Sequence, residues 1–318
     1  MQTVLVAGGA GFIGTHLCKR LLTENYKVIC IDSLITGDRN NLKDILNNQN
    51  FTFLEQDITK SLDKKLAVDY IFHLASPASP NKKSPRSYVN HPIETLLANS
   101  LGTYNLLELA KKTSSKLLYA SSSEVYGDPS VSPQSEDYFG NVNPNGIRSV
   151  YDEGKRFGEA ITASYVREYG LDARIIRVFN TYGPMMQIDD GRVVSNFINQ
   201  AILNKPITIY GDGSQTRSFC YIDDMVEGLM LAMFSDKTKG EVINLGNPDE
   251  RKISELATMI KDIVSSQSDI LFESLPEDDP KIRKPDISKA EKLIGWSPKV
   301  NIEQGVRKTV EYFKRINI

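Results

Sequence analysis

The sequence predicts an α/β fold, a doubly wound parallel sheet with a smaller α/β unit toward the C-terminus. Three observations carry this. Short apolar runs alternate with longer segments of helical periodicity through the first 180 residues. The first run enters a glycine cluster, Gly8-Gly-Ala-Gly-Phe-Ile-Gly14, that opens a helix. Beyond Tyr182 the elements shorten and are separated by polar turns such as Gly211-Asp-Gly213.

Thr3–Ala7 reads as a buried strand. Phe12–Glu24 carries Ile13, Leu17, Leu21 and Leu22 near helical spacing. Lys27–Ile31, Phe51–Glu55, Asp69–His73 and Lys116–Ala120 read as four further strands. Between the last two, Ile93–Lys112 reads as one long amphipathic helix. Gly127–Gly146 holds three prolines and three glycines and is a long loop, a length that usually carries function. Tyr151–Tyr169 is helical again, and Ala173–Val178 returns to a strand. Strands alternating with helices imply a parallel sheet covered on both faces.

The chain has 318 residues, which at roughly 150 per domain suggests two domains or one large unit. Lys and Arg number 38 against 40 Asp and Glu, a net charge of −2, so no basic excess exists to neutralise nucleic acid. Runs such as Val4–Ala7 and Leu229–Phe234 fall far short of a membrane span, and no membrane partner is expected. No leader-like segment precedes the first strand, and a cytoplasmic location is expected. Cys18, Cys30 and Cys220 have no metal-ligand spacing and cannot all pair, so they read as reduced thiols with no metal.

The glycines at 8, 11 and 14 permit a tight turn, a close backbone approach to a pyrophosphate, and close helix packing. The helix that follows points its free N–H groups and positive dipole end at the phosphates. Asp32 ends the second strand, 18 residues after Gly14, where a carboxylate accepts from both adenosine ribose hydroxyls and repels a 2′-phosphate. That favours NAD, although the nearby Arg39 is a residue type that accepts a 2′-phosphate. Asp57-Ile58, after the third strand, either borders the adenine or simply starts an acidic loop.

Tyr151-Asp-Glu-Gly-Lys155 puts a phenol and an ammonium on one helical face. A lysine cation beside a phenol favours the phenolate and brings it toward general-base duty. Ser121, Ser122, Ser123 and Glu124 follow the fifth strand, at the carboxyl edge where open α/β sheets bind ligands.

Together these features resemble the extended short-chain dehydrogenase/reductase superfamily, whose members modify nucleotide sugars. The chain is similar in particular to the UDP-glucuronate decarboxylases, or UDP-xylose synthases. Six stretches carry that similarity: His73-Leu-Ala-Ser-Pro-Ala-Ser-Pro80, Ser123-Glu-Val-Tyr-Gly-Asp-Pro129, Pro133-Gln-Ser-Glu-Asp137, Tyr151-Asp-Glu-Gly-Lys-Arg156, Asp189-Asp-Gly-Arg-Val-Val-Ser-Asn-Phe197 and Gly213-Ser-Gln-Thr-Arg-Ser218.

The resemblance implies a Rossmann-type NAD-binding unit over 1–180, to which the chain can later return, and a mainly nucleotide-sugar unit over 181–318. It implies redox-neutral decarboxylation of a UDP-hexuronic acid through a 4-keto sugar, with tightly bound NAD recycled. Tyr151 is the base, Lys155 supports it and holds the nicotinamide ribose, and Ser122 bonds the sugar 4-oxygen. Phe12, Ile13, Leu74, Ala75, Ser76, Asn99, Ser121 and Thr181 complete the implied cofactor contacts. Ser123, Glu124, Asn180, Arg192, Tyr210, Gln215, Arg217 and Arg283 are implied on the sugar side, with Tyr210 against the uracil. A homodimer through the helices near 91–112 and 151–169 is also implied.

The related 4,6-dehydratases place an aspartate where this chain has Ser123, to protonate a departing hydroxyl. A decarboxylase needs no such acid, and Ser123 can donate to the substrate carboxylate. Glu124 then orients that carboxylate or manages a proton or water at carbon 5. A 4-epimerase and a non-catalytic NAD- or sugar-binding regulator are the other readings. Three departures concern the substrate. The family usually has a lysine at Leu97 and an arginine at Met185, and fewer residues across 81–91. These fit a 2-N-acetylated hexuronic acid and fit neutral drift equally.

Overall fold

The computed structural model describes residues 1–63, 65–188, 190–274 and 282–316. In the first half lie β1 (Thr3–Ala7), α1 (Phe12–Thr23), β2 (Lys27–Asp32), β3 (Phe51–Glu55), β4 (Tyr70–His73), α2 (Pro92–Leu97), α3 (Thr103–Thr113), β5 (Lys116–Ser122), α4 (Ser149–Tyr169) and β6 (Ala173–Val178). Then follow β7 (Thr181–Tyr182), α5 (Val193–Ile202), β8 (Ile207–Tyr210), β9 (Thr216–Ser218), β10 (Cys220–Tyr221), α6 (Ile222–Phe234), β11 (Val242–Leu245), β12 (Glu250–Lys252), α7 (Ile253–Val264), β13 (Ile270–Glu273), α8 (Ser288–Ile294) and α9 (Ile302–Ile316).

Seven parallel strands form the main sheet in the order β11-β6-β5-β4-β1-β2-β3. Sheet growth reverses at β1, which pairs with β2 on one side and β4 on the other. The crevice beyond the carboxyl ends of β1 and β4 is therefore the topological switch point, where such sheets bind ligands. The period-2 alternation of a strand divides the core. Val4 and Val6 join Leu17, Leu21, Met225 and Leu229 beneath α1 and α6. Leu5 and Ala7 join Leu106, Ala110 and Tyr165 beneath α3 and α4.

The helix expected over Ile93–Lys112 is not uniform. A wider π turn, Ala98–Gly102, separates α2 from α3. It carries Asn99 inward, where the amide donates to Ser76 Oγ at 2.8 Å and to Thr95 O at 2.9 Å and accepts from the Tyr119 hydroxyl at 3.1 Å. Such turns inside helices often mark functional sites.

The second half builds three two-stranded pairs, β7–β10, β8–β13 and β9–β12. It also returns to the main sheet. β11 pairs with β6, Val242 to Leu245 against Ile175 to Val178. With α6 covering one face, the two units share chain. No helix among the described residues is long and apolar enough to cross a membrane. The three cysteines are free and buried.

Candidate active site

The glycine loop is as tight as its sequence requires. A Cβ on Gly14 would lie 2.1 Å from Gly8 O, and Gly8, at φ +83°, would drive one to 2.7 Å from the Ala75 nitrogen. Gly11 caps α1 without a side-chain acceptor, so the first-turn N–H groups face the cavity. Asp32 accepts from the backbone of Ala10 at 3.0 Å and Leu34 at 2.9 Å. Burial raises its pKa against those two bonds. Its remaining lone pairs are what a ribose diol needs. Arg39 is turned over the Phe53 ring, 5.4 Å from the centroid. A cradle that any side chain would fill, an uncapped helix and a strand-end carboxylate together fit a dinucleotide.

One cavity runs from Gly8, Gly11, Phe12, Ile13 and Gly14 past Leu74 and Ser76 to the ends of β5 and β6. Ser121, Ser122, Ser123, Glu124, Tyr151, Lys155, Asn180, Thr181, Arg192, Arg217 and Arg283 also line it. Several expected residues do not, and Asp32, turned to the Ala10 and Leu34 backbone, is one of them. Ala75 and Asn99 stand behind the wall, packed on Gly8 and bonded to Ser76. Asp57 accepts from the backbone and hydroxyl of Thr59, both at 2.8 Å, and Ile58 packs in the core. Tyr210 and Gln215 lie outside the lining, with the Gln215 amide donating to Tyr210 O. Asp189 lies outside the described residues.

Tyr151 is 8% exposed and bonded to Ser122. Lys155 donates to Ala120 O at 2.8 Å, its Nζ 5.6 Å from the Tyr151 centroid. Lys155 is not among the groups that lower the phenol, contrary to what its spacing suggests. Burial dominates and pushes Tyr151 up to about 12, against the Ser122 bond and Arg192. Burial likewise brings Lys155 down to about 7, against the charge of Glu159. The Ser121 hydroxyl points not to the cavity but to Glu159 Oε1, at 2.6 Å.

At the far end Glu124 meets Arg148 at 2.6 Å and Arg283 at 3.3 Å. Burial pushes Glu124 up, but Arg283, Arg148 and Arg217 outweigh it and hold the carboxyl at about 2. Neighbouring Asp152 goes the other way, to about 8, through burial and the Glu124 charge. Arg283 is 2% exposed and also donates to Ser123 O. Among the described residues, Arg86, Arg148, Arg192, Arg217 and Arg283 line the cavity against two carboxylates, Glu124 and Asp190. That excess suits a ligand with several negative charges.

Sequence reasoning flagged 81–91 but missed its side chains. Tyr88 lies against Tyr151, and Arg86 reaches the cavity and Asp38. Arg148 was also missed, although its place one turn before Tyr151 was a usable signal. Leu97, where a lysine was noted as missing, is 41% exposed and not on the cavity wall. Met185 adopts φ +68° and its sulfur meets Lys19 Nζ at 3.8 Å.

A glycine-loop dinucleotide cradle beside a buried Tyr–Lys pair and an arginine-rich pocket defines a Rossmann-fold enzyme of the NAD-dependent class. The chain belongs to the NAD dependent epimerase/dehydratase family, which it matches over residues 4–246. It is 46% identical to UDP-glucuronic acid decarboxylase 1 of Xenopus tropicalis, over 99% of this chain and 72% of that protein. It is 48% identical to UDP-glucuronic acid decarboxylase 6 of Arabidopsis thaliana, over 98% of this chain and 88% of that one. Among solved structures, UDP-glucose 4-epimerase of Thermotoga maritima with UDP-glucose superimposes with a TM-score of 0.88 at 30% identity, covering 99% of this chain and 100% of that one. UDP-glucuronic acid 4-epimerase of Bacillus cereus, with UDP-glucuronic acid and NAD, gives 0.85 at 32%, covering 99% of each chain.

Proposed function

We propose that the protein decarboxylates a UDP-hexuronic acid, UDP-glucuronate to UDP-xylose first among candidates, through a 4-keto intermediate. The observation that carries this reading is the Ser123–Glu124 end of the cavity, with a serine rather than a carboxylic acid at 123 and arginines 148, 217 and 283 around it. The decarboxylase relatives, matched over nearly the whole chain, support it.

A bound nicotinamide dinucleotide supplies reversible hydride acceptance at the sugar C4. Tyr151 first gives up its own proton and then, as the phenolate, takes the proton of the C4 hydroxyl, while Ser122 holds that oxygen in line. The resulting ketone makes the sugar carboxylate a β-keto acid, so CO₂ departs to leave a delocalised enolate; a proton taken up at C5, with hydride returned to C4 and the Tyr151 proton returned to the C4 oxygen, would give the pentose and restore the starting oxidation state. Ser123, Arg217 and Arg283 hold the carboxylate before it leaves. Glu124 is an acceptor here, not an acid, because its arginines keep it ionised. Tyr88 and Arg86 flank the sugar.

We assign the dinucleotide unit to residues 1–180 with α6 and β11 added, and the remainder to substrate. We also infer a homodimer through α2–α3 and α4, whose outer faces expose Ile93, Leu97, Leu101, Tyr104 and Phe157. Light scattering tests it; a monomer at micromolar concentration rejects it. A cytoplasmic location, consistent with three free thiols, completes the proposal.

The test is incubation with UDP-glucuronate, UDP-N-acetylglucosaminuronate and UDP-glucose, with products identified by mass and NMR. CO₂ release and a UDP-pentose are expected from one of the acids. Epimerised UDP-glucose without CO₂ release from either acid rejects the reading. Tyr151→Phe is expected to cut turnover by about 10³-fold while the dinucleotide stays bound.

A further inference from the structure

We propose that Glu159 is a positioning residue: braced by Arg177, it grips the end of β5 through Ser121 and keeps Lys155 in its ammonium form. The inference rests on Tyr151 and Lys155 being the catalytic pair proposed above.

Tyr151, Lys155 and Glu159 stand four residues apart along one face of α4. Each holds one residue at the end of β5. Tyr151 bonds Ser122, Lys155 donates to Ala120 O at 2.8 Å, and Glu159 accepts from Ser121 Oγ at 2.6 Å. Arg177 on β6 fixes Glu159 with a two-pronged contact, Nε at 2.9 Å and Nη2 at 2.8 Å. The two parallel N–H···O contacts fix the orientation of the carboxylate. Arg177 is itself tied to the Tyr126 hydroxyl at 2.9 Å, and Tyr126 to Asn244 at 2.8 Å.

The other groups facing Lys155 supply no negative charge. His73 of β4 is buried and neutral, pushed down to about 3 by burial and by Lys155. Tyr119 of β5, its centroid 5.2 Å from Nζ, is raised well above its usual value by burial. Tyr151 on α4 is protonated at neutral pH for the same reason. Burial drives Lys155 toward neutrality, and Glu159 opposes it. Without Glu159, Lys155 would lose its charge in the working pH range.

The test uses the purified protein with its bound dinucleotide and ¹³C-labelled lysine. The Lys155 signal is assigned by its loss in Lys155→Met. Glu159→Gln keeps an acceptor for Ser121 and removes only the charge. It is expected to move the Lys155 titration midpoint down by about one pH unit, and the alkaline limb of kcat with it. Arg177→Met releases Glu159 from its brace and is expected to move the midpoint down as well, by less than Glu159→Gln does. Downward movement in both supports the inference. An unmoved midpoint in Glu159→Gln, or an upward one in either variant, overturns it, since a structural role lowers kcat without shifting the limb. If the wild type releases no CO₂, the decarboxylase reading falls, and the NMR midpoints still decide the role of Glu159.

Discussion

The ring of Tyr88 lies parallel to that of Tyr151, centroids 5.1 Å apart and planes 11° from each other. Tyr88 belongs to the 81–91 segment, which is pinned over the cavity at several points. Its Ser87 Oγ donates to Ser79 O at 2.9 Å, the Ser79 hydroxyl donates in turn to Asp190 O, and Arg86 reaches Asp38 at 3.7 Å. The segment thus links the glycine-loop side to the sugar side and sets one wall against the reacting phenol. An aromatic pair of this kind contributes about 1 kcal/mol beyond its burial. Tyr88→Leu is expected to lower kcat more than Tyr88→Phe, which keeps the stack; equal kcat values in steady-state assays would deny the ring a role.

Ser123 decides between sister chemistries. Ser123→Asp adds an anion where the substrate carboxylate is expected, beside Glu124. KM for UDP-glucuronate should rise by about tenfold or more. An unchanged KM would put the carboxylate elsewhere.

Lys155 makes a prediction about stability. Its folded pKa of about 7 lies below the ordinary 10.5, so between these values the unfolded chain binds a proton that the folded chain releases. The lysine therefore destabilises the fold most at and below pH 7, and the effect fades as pH approaches 10.5. Lys155→Met should melt above the wild type at pH 6, with the gap closing toward pH 10, even as turnover is lost. Calorimetry across that range checks it; a constant gap contradicts the assignment.

Arg283 and Glu124 predict the opposite profile. Glu124 sits at about 2 against its usual 4.5, so its ionised form stabilises the fold above pH 4.5 and that stability is lost as pH falls toward 2. Arg283→Met leaves Glu124 with fewer cations and should cost about 3 kcal/mol at neutral pH. Denaturant titrations should show the loss shrinking through the acid range.

Much of this was legible in the chain. Thr3–Ala7 and Ala173–Val178 are strands at the expected bounds, because buried parallel strands must be apolar runs between polar breaks. The glycine loop, Asp32, Tyr151 and Lys155 were legible because their chemistry fixes both residue type and spacing. The π turn at Asn99 was not, since it depends on Ser76 and Tyr119, which the chain brings from far away. Nor was the stack of Tyr88 on Tyr151, because no periodicity reports a contact made by a loop. The upward shift of Tyr151 was out of reach for a different reason. The spacing of Tyr and Lys is visible in sequence, but the depth at which the fold buries them is not, and burial is the larger effect.

The return of β11 to the main sheet limits how this protein can be taken apart. A fragment ending near residue 180 would bare the backbone edge of β6 along Ile175 to Val178, an open template for aggregation. Such a fragment should not fold as a free-standing cofactor carrier. Grafting a new sugar specificity onto this scaffold would likewise need several splice points, with α6 and β11 kept from the host. The fold makes cofactor and substrate recognition inseparable by inheritance as well as by chemistry.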